Sequence, residues 1–215
     1  MIAVLGGTGQ QGRGIVQRLA RAGHSMLVGS RDPARAAATI AQWPEDCRSI
    51  RSVDYGTAMS EADTAVLTVP FEAVASLVAE HGPRLKDGAL VIDVTVPLDF
   101  TGGKVTLLDV VEGSATEYIR TRLPERVRIA AAFKTVPAHL LNDIDRPMNC
   151  DEFVCGDSPE ARAAASALVE SVQNLRAVDV GPLSRARAIE HLTLLAVGIN
   201  RRHKIHDARY RIVGL

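Results

Sequence analysis

The chain has 215 residues with 25 Lys+Arg against 25 Asp+Glu, so its formal net charge at pH 7 is zero. That balance leaves no basic surplus for nucleic acid and no polybasic stretch for a membrane surface, and 4% aromatic content argues against a base-stacking surface. No apolar run approaches the roughly 20 residues of a transmembrane helix. The length fits one large domain, or one domain with a small appendage. Cys47, Cys150 and Cys155 are odd in number and lack metal-ligand partners at useful spacing, so no metal site and a reducing, cytoplasmic compartment are expected. With a first strand at residue 2, no leader segment is expected.

Ile2 to Leu5 is a short apolar run that reads as a buried strand, and Gly7-x-Gly9-x-x-Gly12 follows at once. Arg13 to Ala22 then shows helical periodicity through Ile15, Val16, Leu19 and Ala20. Three glycines between a strand and an amphipathic helix form a dinucleotide-binding turn. Gly7 permits the sharp bend, Gly9 lets backbone approach a pyrophosphate, and Gly12 allows helix to pack on strand. The helix N-terminus adds free N–H groups and a partial positive charge. Gly7, Thr8, Gly9, Gln10, Gln11 and Gly12 are therefore the expected cofactor-binding turn.

Gly23-His24 turns the chain into a second strand, Ser25 to Gly29, and Asp32-Pro33 opens a helix as N-cap and first helical residue. Ser49 to Val53 reads as a third strand and Tyr55 to Ser60 as a short helix. Thr64 to Val69 is a buried fourth strand stopped by Pro70; Phe71 to Glu80 is an amphipathic helix, and Gly88 leads into a fifth strand, Ala89 to Thr95. Val96 to Gly113 is irregular, broken by Pro97 and Gly102-Gly103. Ser114 to Glu117 is a capping box before a helix to about Leu123, and Val127 to Phe133 is a sixth strand. Glu152 to Cys155 and Leu175 to Val180 are two more, separated by a helix from Pro159 to Val172. Ser184 to Arg202 is a last helix, apolar over much of its circumference, which predicts burial in the core or in a subunit interface. Strands alternate with helices throughout, so the expected fold is α/β, a Rossmann-type, doubly wound, mainly parallel sheet over residues 1–182, with a C-terminal helix and tail over 183–215.

Ligands of such sheets bind at the carboxyl ends of the strands. That edge should hold the glycine turn, Ser30-Arg31, Pro70-Phe71, Thr95 to Leu98 and Lys134 to His139, whereas His24 and Gly88 precede strands and fall on the opposite edge. An NAD site places a carboxylate after the second strand; this chain has Ser30-Arg31, with Arg35 one turn on. Guanidinium groups bind a 2′-phosphate bidentately where a carboxylate would repel it, so the cofactor is read as NADP. Phe71 stands either beside the nicotinamide or in ordinary packing. Lys134 is placed either to meet an anionic substrate or as an exposed structural lysine. His139 is a weaker candidate for substrate contact. The sequence has no Gly-x-Ser-x-Gly elbow and no Tyr-x-x-x-Lys pair, so hydride transfer would rest on position and electrostatics.

Leu5-Gly6-Gly7-Thr8-Gly9, Val28-Gly29-Ser30-Arg31, Thr68-Val69-Pro70, Cys155-Gly156-Asp157 and Val178-Asp179-Val180-Gly181-Pro182-Leu183, leading into Ala188-x-Glu190, run collinearly along the chain. In these pieces the sequence resembles the NADP oxidoreductases of the deazaflavin coenzyme F420. The resemblance implies hydride exchange between the nicotinamide of NADP and the deazaflavin ring, stacked in a cleft at the carboxyl edge. It places Thr8, Ser30, Arg31 and Arg35 on the NADP phosphates and Val69-Pro70 beside the nicotinamide. Val94, Thr95, Val96, Pro97 and Leu98 would face the deazaflavin, with Lys134, Thr135, Val136, Pro137 and Ala138. The family is usually dimeric, which suits the apolar last helix. The chain departs from the family pattern at Val96 and Lys134, where many relatives carry Asn and His, and in its basic tail. Two other readings stay open: an NADPH-dependent reductase of a flavin or ferric chelate, and a protein that senses NADP(H) without turnover.

Overall fold

In the computed structural model, which describes residues 1–48 and 50–215, the chain opens with four βα steps and a fifth strand. They comprise β1 (Ile2–Leu5), α1 (Gln10–Arg21), β2 (Met26–Gly29), α2 (Pro33–Ile40), β3 (Arg51–Val53), α3 (Tyr55–Glu61), β4 (Thr64–Leu67), α4 (Phe71–His81) and β5 (Leu90–Asp93). A small hairpin, β6 (Leu98–Asp99) and β7 (Thr106–Leu107), follows inside the irregular stretch, then α5 (Ala115–Arg120) and β8 (Arg128–Ala131). The chain ends with α6 (Ala138–Asn142), β9 (Cys150–Gly156), α7 (Pro159–Glu170), β10 (Leu175–Pro182) and α8 (Ala186–His203). Eight strands form one sheet in the order β10-β9-β8-β5-β4-β1-β2-β3.

β1 to β5 and β8 are parallel, with helices on both faces, so their strands are apolar throughout rather than alternating. Val4, Ile15, Val16 and Leu19 belong to the core on one face; Leu5, Leu27, Met59 and Leu67 fill the other. Asp32, Asp54, Ser114 and Ser158 cap α2, α3, α5 and α7 with their side chains. Gly9 at the start of α1 makes no such bond. A Cβ on Gly12 would lie 2.6 Å from both Gly6 O and Thr68 Oγ1, which is why this helix can approach the sheet only with glycine there.

Several elements differ from expectation, among them β4 and β5, which end at Leu67 and Asp93 rather than Val69 and Thr95. The strand expected over Val127 to Phe133 stops at Ala131, because Phe133 takes a left-handed conformation with φ 58° and ends the extended run. β9 is longer than Glu152 to Cys155 and runs antiparallel to β8, while β10 follows β9 in parallel. The reversal is anchored by Arg18 on α1. Its guanidinium donates to the carbonyls of Leu140, Leu141, Asp143 and Arg146, fixing α6 and the returning chain. The helix expected to reach Leu123 ends at Arg120. Ser49, the expected start of the third strand, lies outside the described residues.

The last helix is only partly covered. Ala186, Ile189, Glu190 and Ala196 are buried, while Leu195 is 54% and Ile199 36% exposed. The tail folds back on the sheet edge: Tyr210 forms a β-bridge with Asp151 and donates its hydroxyl to Leu192 O at 2.6 Å. Among the described residues no helix is long and apolar enough to cross a membrane.

Candidate active site

The parallel direction of β1, β2, β4, β5 and β8 brings their carboxyl ends to one edge, and three cavities lie along it. The first, of about 330 Å³, is lined by Thr8, Ser30, Arg31, Arg35 and Thr39, with Asp32 beside them. Arg31 and Arg35 are exposed. The Asp32 carboxylate is turned to the helix, where Oδ1 accepts from Arg35 N at 3.0 Å. A cationic rim with its one nearby carboxylate engaged elsewhere suits a phosphate group. At the neighbouring turn the N–H groups of the first turn of α1 point out of a helix with no side-chain cap and no acidic residue, as phosphate binding requires.

The second cavity, of about 500 Å³, lies between Arg31, Tyr55, Val69, Pro70, Leu77 and His81. Val69 and Pro70, expected beside the nicotinamide, thus share a wall with Arg31. Phe71 lines neither cavity: it packs against Tyr118 with ring centroids 5.4 Å apart and belongs to the packing between α4 and α5.

The third cavity, of about 420 Å³, gathers Val94, Val96, Lys134, Val136, Pro137 and Ala138 from the expected acceptor side. Thr95 and Pro97 are not on its wall. Thr95 is buried, its N–H and hydroxyl donating to Asp93 Oδ1 at 2.8 and 2.7 Å, and Pro97 O accepts from Leu108 N to hold the hairpin. The opposite wall was missed in the sequence. It is a stripe of α8, Thr193, Ala196, Val197 and Asn200, with His206 and Ala208 from the tail. The i, i+3, i+4, i+7 spacing of that stripe was the available signal. His139 reaches this wall and is exposed; its ring lies 5.9 Å from that of His206. A depression of about 460 Å³ between α1 and α6 shares Ala138 and His139 with this cavity.

Gln11 joins the two halves of the edge. Its Nε2 donates to Phe133 O at 3.0 Å and to Val136 O at 3.2 Å, so the phosphate-side helix is tied to the loop that walls the third cavity.

Lys134 corrects both of its expected roles. Its side chain is fully buried and its ammonium lies 2.7 Å from Asp93 Oδ2 and 3.5 Å from Glu190 Oε1, with the Thr95 carbonyl also in contact. Burial alone would lower its pKa, but Asp93 and Glu190 outweigh it and hold the group above the ordinary lysine value. The ammonium is therefore neither exposed nor free to meet a ligand. Asp93 Oδ2 also accepts from Thr116 Oγ1 at 2.7 Å, and Glu190 Oε1 from Ala115 N at 2.9 Å. A second buried carboxyl, Glu152, accepts from Lys134 N at 2.8 Å and from Thr135 N and Oγ1 at 3.2 and 2.6 Å. Burial pushes it up to about 7.

The two late motifs line none of these cavities. Because β9 is antiparallel to β8, Cys155-Gly156-Asp157 runs back along β8 from Ala131, which Cys155 faces, towards the opposite edge. There Asp157 Oδ2 accepts from Ile129 N at 3.0 Å and Arg120 Nη1 at 3.1 Å. Asp179 accepts from Gly181 N and pairs with Arg162. Both motifs clamp strand ends. His24 sits at that edge too, 3.0 Å from Ser171 Oγ.

The family model described as NADP oxidoreductase, coenzyme F420-dependent, matches residues 1–97. A protein named F420-dependent NADP reductase from Methanothermobacter marburgensis is 38% identical over the whole chain and 98% of its own length. One of the same name from Methanocaldococcus jannaschii is 33% identical over the whole chain and 98% of its length. The chain belongs to the coenzyme F420-dependent NADP oxidoreductase family. A solved structure from Arthrobacter sp. FB24, described in terms of an F420-dependent NADP reductase, superposes with a TM-score of 0.85 at 27% identity, covering 99% of this chain and 98% of that one. In this family member the matched segment runs from β1 through the turn after β5. It holds the glycine turn, Ser30, Arg31, Arg35, Val69-Pro70 and Val94 to Pro97. The Lys134 to Ala138 loop and α8 lie beyond that segment, within the reach of the full-length relatives.

Proposed function

We propose that this chain is an oxidoreductase that transfers hydride between NADP(H), held along β1, β2 and β4, and the deazaflavin coenzyme F420, received in the cavity between β5, β8 and α8. Thr8, Ser30, Arg31 and Arg35 take the 2′-phosphate. The N–H groups of Gln10, Gln11 and Gly12 meet the pyrophosphate, with Gly7 making the turn and Gly9, whose own N–H is held by Gly6 O, leaving room for the approach; Val69 and Pro70 border the nucleotide. Val94, Val96, Val136, Pro137 and Ala138 offer an apolar wall to the deazaflavin. Bound NADPH supplies the hydride; the residues of the chain exclude water and fix distance and angle, which is the main demand of such a step. The observation that carries this reading is the Gln11 bridge, 3.0 and 3.2 Å to the two acceptor-loop carbonyls. It makes the cofactor turn and the acceptor wall one rigid unit.

The same reading places the protein in the cytoplasm as a homodimer. Support for the first is that Cys47, Cys150 and Cys155 are all free and buried. Support for the second is the exposed apolar side of α8, with Leu195 and Ile199.

Mixing the purified protein with NADPH and oxidised coenzyme should bleach the deazaflavin absorbance band. No change, with NADPH demonstrably bound, would shift the reading to a flavin or ferric-chelate acceptor, or to a sensor without turnover.

A further inference from the structure

Two-electron reduction of a deazaflavin by NADPH needs more than the hydride. The carbon that receives the hydride gains both electrons, and a ring nitrogen must gain a proton: NADPH plus oxidised coenzyme plus one proton gives NADP⁺ and reduced coenzyme. Among the described residues the third cavity offers few groups that can supply it. Lys134 is held by Asp93 and Glu190 inside the protein. His139 and His206 are exposed, at the rim rather than in the depth of the cavity.

Thr135 is different. It lines the cavity yet is only 4% exposed, and behind it stands Glu152, with no exposure at all, 2.6 Å from its hydroxyl. From the reading of the third cavity as the deazaflavin site, we infer that Thr135 and Glu152 form the proton path of the reaction, Thr135 touching the acceptor and Glu152 acting through it.

The hydrogen bond between them can run either way. With Glu152 ionised, Thr135 Oγ1–H donates to Oε2. With Glu152 protonated, Oε2–H donates to Thr135 Oγ1 and the threonine proton is free for the cavity. On reduction the threonine proton goes to the ring nitrogen, the Glu152 proton goes to Thr135 Oγ1, and no charge is left on the hydroxyl. The carboxylate that remains keeps the N–H donors of Lys134 and Thr135. Proton uptake from water resets it, and coenzyme oxidation runs the same path backward. Burial raises Glu152; the Thr135 hydroxyl, the N–H groups of Lys134 and Thr135 and, least, the Lys134 charge oppose that rise. Cys150 on the same strand is the other titratable group coupled to it, and Asp93 and Glu190 lie on the far side of Lys134.

The test has a ligand-free arm and a kinetic arm. In the ligand-free protein, infrared difference spectra should show a protonated carboxyl band that titrates near neutrality and vanishes in Glu152→Gln. Thr135→Val keeps the side-chain shape, so it serves if Glu152→Gln does not fold. It should keep the band, shift its frequency, and lower kcat for coenzyme reduction about 100-fold, the lower end for a lost proton donor. KM for NADPH should stay within about twofold, and Thr135→Ser should recover most of the rate. A purely structural contact would leave the pH dependence of kcat unchanged. The inference is overturned if Thr135→Val keeps the wild-type rate and pH profile, if no carboxyl band titrates, or if His139→Gln instead removes the pH limb. A wild-type protein that reduces no coenzyme while its band still titrates would instead strike the assignment of the acceptor.

Discussion

Lys134 Nζ and Asp93 Oδ2 are 2.7 Å apart with neither side chain exposed. A buried pair contributes little net stability, but removing one partner strands the other charge. Lys134→Met should therefore destabilise the protein by about 3–5 kcal/mol, measured by denaturant unfolding. Adding Asp93→Asn to that variant should recover much of the loss, and a double-mutant cycle would give the coupling. A Lys134→Met protein of wild-type stability with a raised KM for coenzyme would restore the lysine as a ligand.

Arg31 and Arg35 stand exposed on the cavity proposed to take the 2′-phosphate. Each charge-assisted hydrogen bond to phosphate is worth about 1.5–3 kcal/mol, so Arg31→Ala should raise KM for NADPH about 10- to 100-fold. KM for NADH, which has no 2′-phosphate, should move little. Equal effects on both would refute the NADP assignment.

The glycines of the turn should separate folding from binding. A Cβ on Gly12 meets backbone and side chain at 2.6 Å, whereas one on Gly9 meets only Gly6 O at 3.2 Å. Gly12→Ala should lower the melting temperature. Gly9→Ala should melt near the wild type yet bind NADPH weakly in a calorimetric titration, because its methyl would stand where the proposed function brings the pyrophosphate.

Glu152 makes stability depend on pH. Burial pushes it up to about 7 in the folded chain, against about 4.3 for an unperturbed glutamate. Between those values the folded state holds a proton that the unfolded state has released, so stability is full below the lower value and falls as pH rises through the upper one. Relative to Glu152→Gln, the wild type should lose up to about 3 kcal/mol from pH 4.5 to 7. Asp63 acts elsewhere: Lys86 and the N-terminal ammonium hold it down to about 2, so its contribution fades only in acid. A pH-independent difference between the two proteins would mean that Glu152 is ionised throughout.

Leu195 and Ile199 share one exposed side of α8. If that side joins two copies, Leu195→Glu should halve the mass seen by sedimentation, and a wild type that already sediments as a monomer would exclude the dimer.

Most of the parallel half of the sheet was legible in the sequence. Ile2 to Leu5 coincides with β1, and the expected caps Asp32 and Ser114 accept from Arg35 N and Glu117 N. Local periodicity and turn chemistry suffice for such features. The direction of β9 was not legible, because the chain leading into it is held by contacts distant in sequence, such as Arg18 with four carbonyls more than a hundred residues away. Lys134 was misjudged for the same reason. Its partners Asp93 and Glu190 come from β5 and α8, and nothing near Lys134 in sequence announces them.

The clamp at Asp157 sets a distance. Five residues of extended strand, about 17 Å at roughly 3.3 Å per residue, separate it from Glu152 on the other edge. β9 therefore works as a gauge, zeroed where Asp157 grips Ile129 and read where Glu152 meets Thr135. One residue inserted between them would turn the carboxyl to the opposite face of the sheet. A clamp outside the cavity thus fixes the address of the group buried beneath its wall.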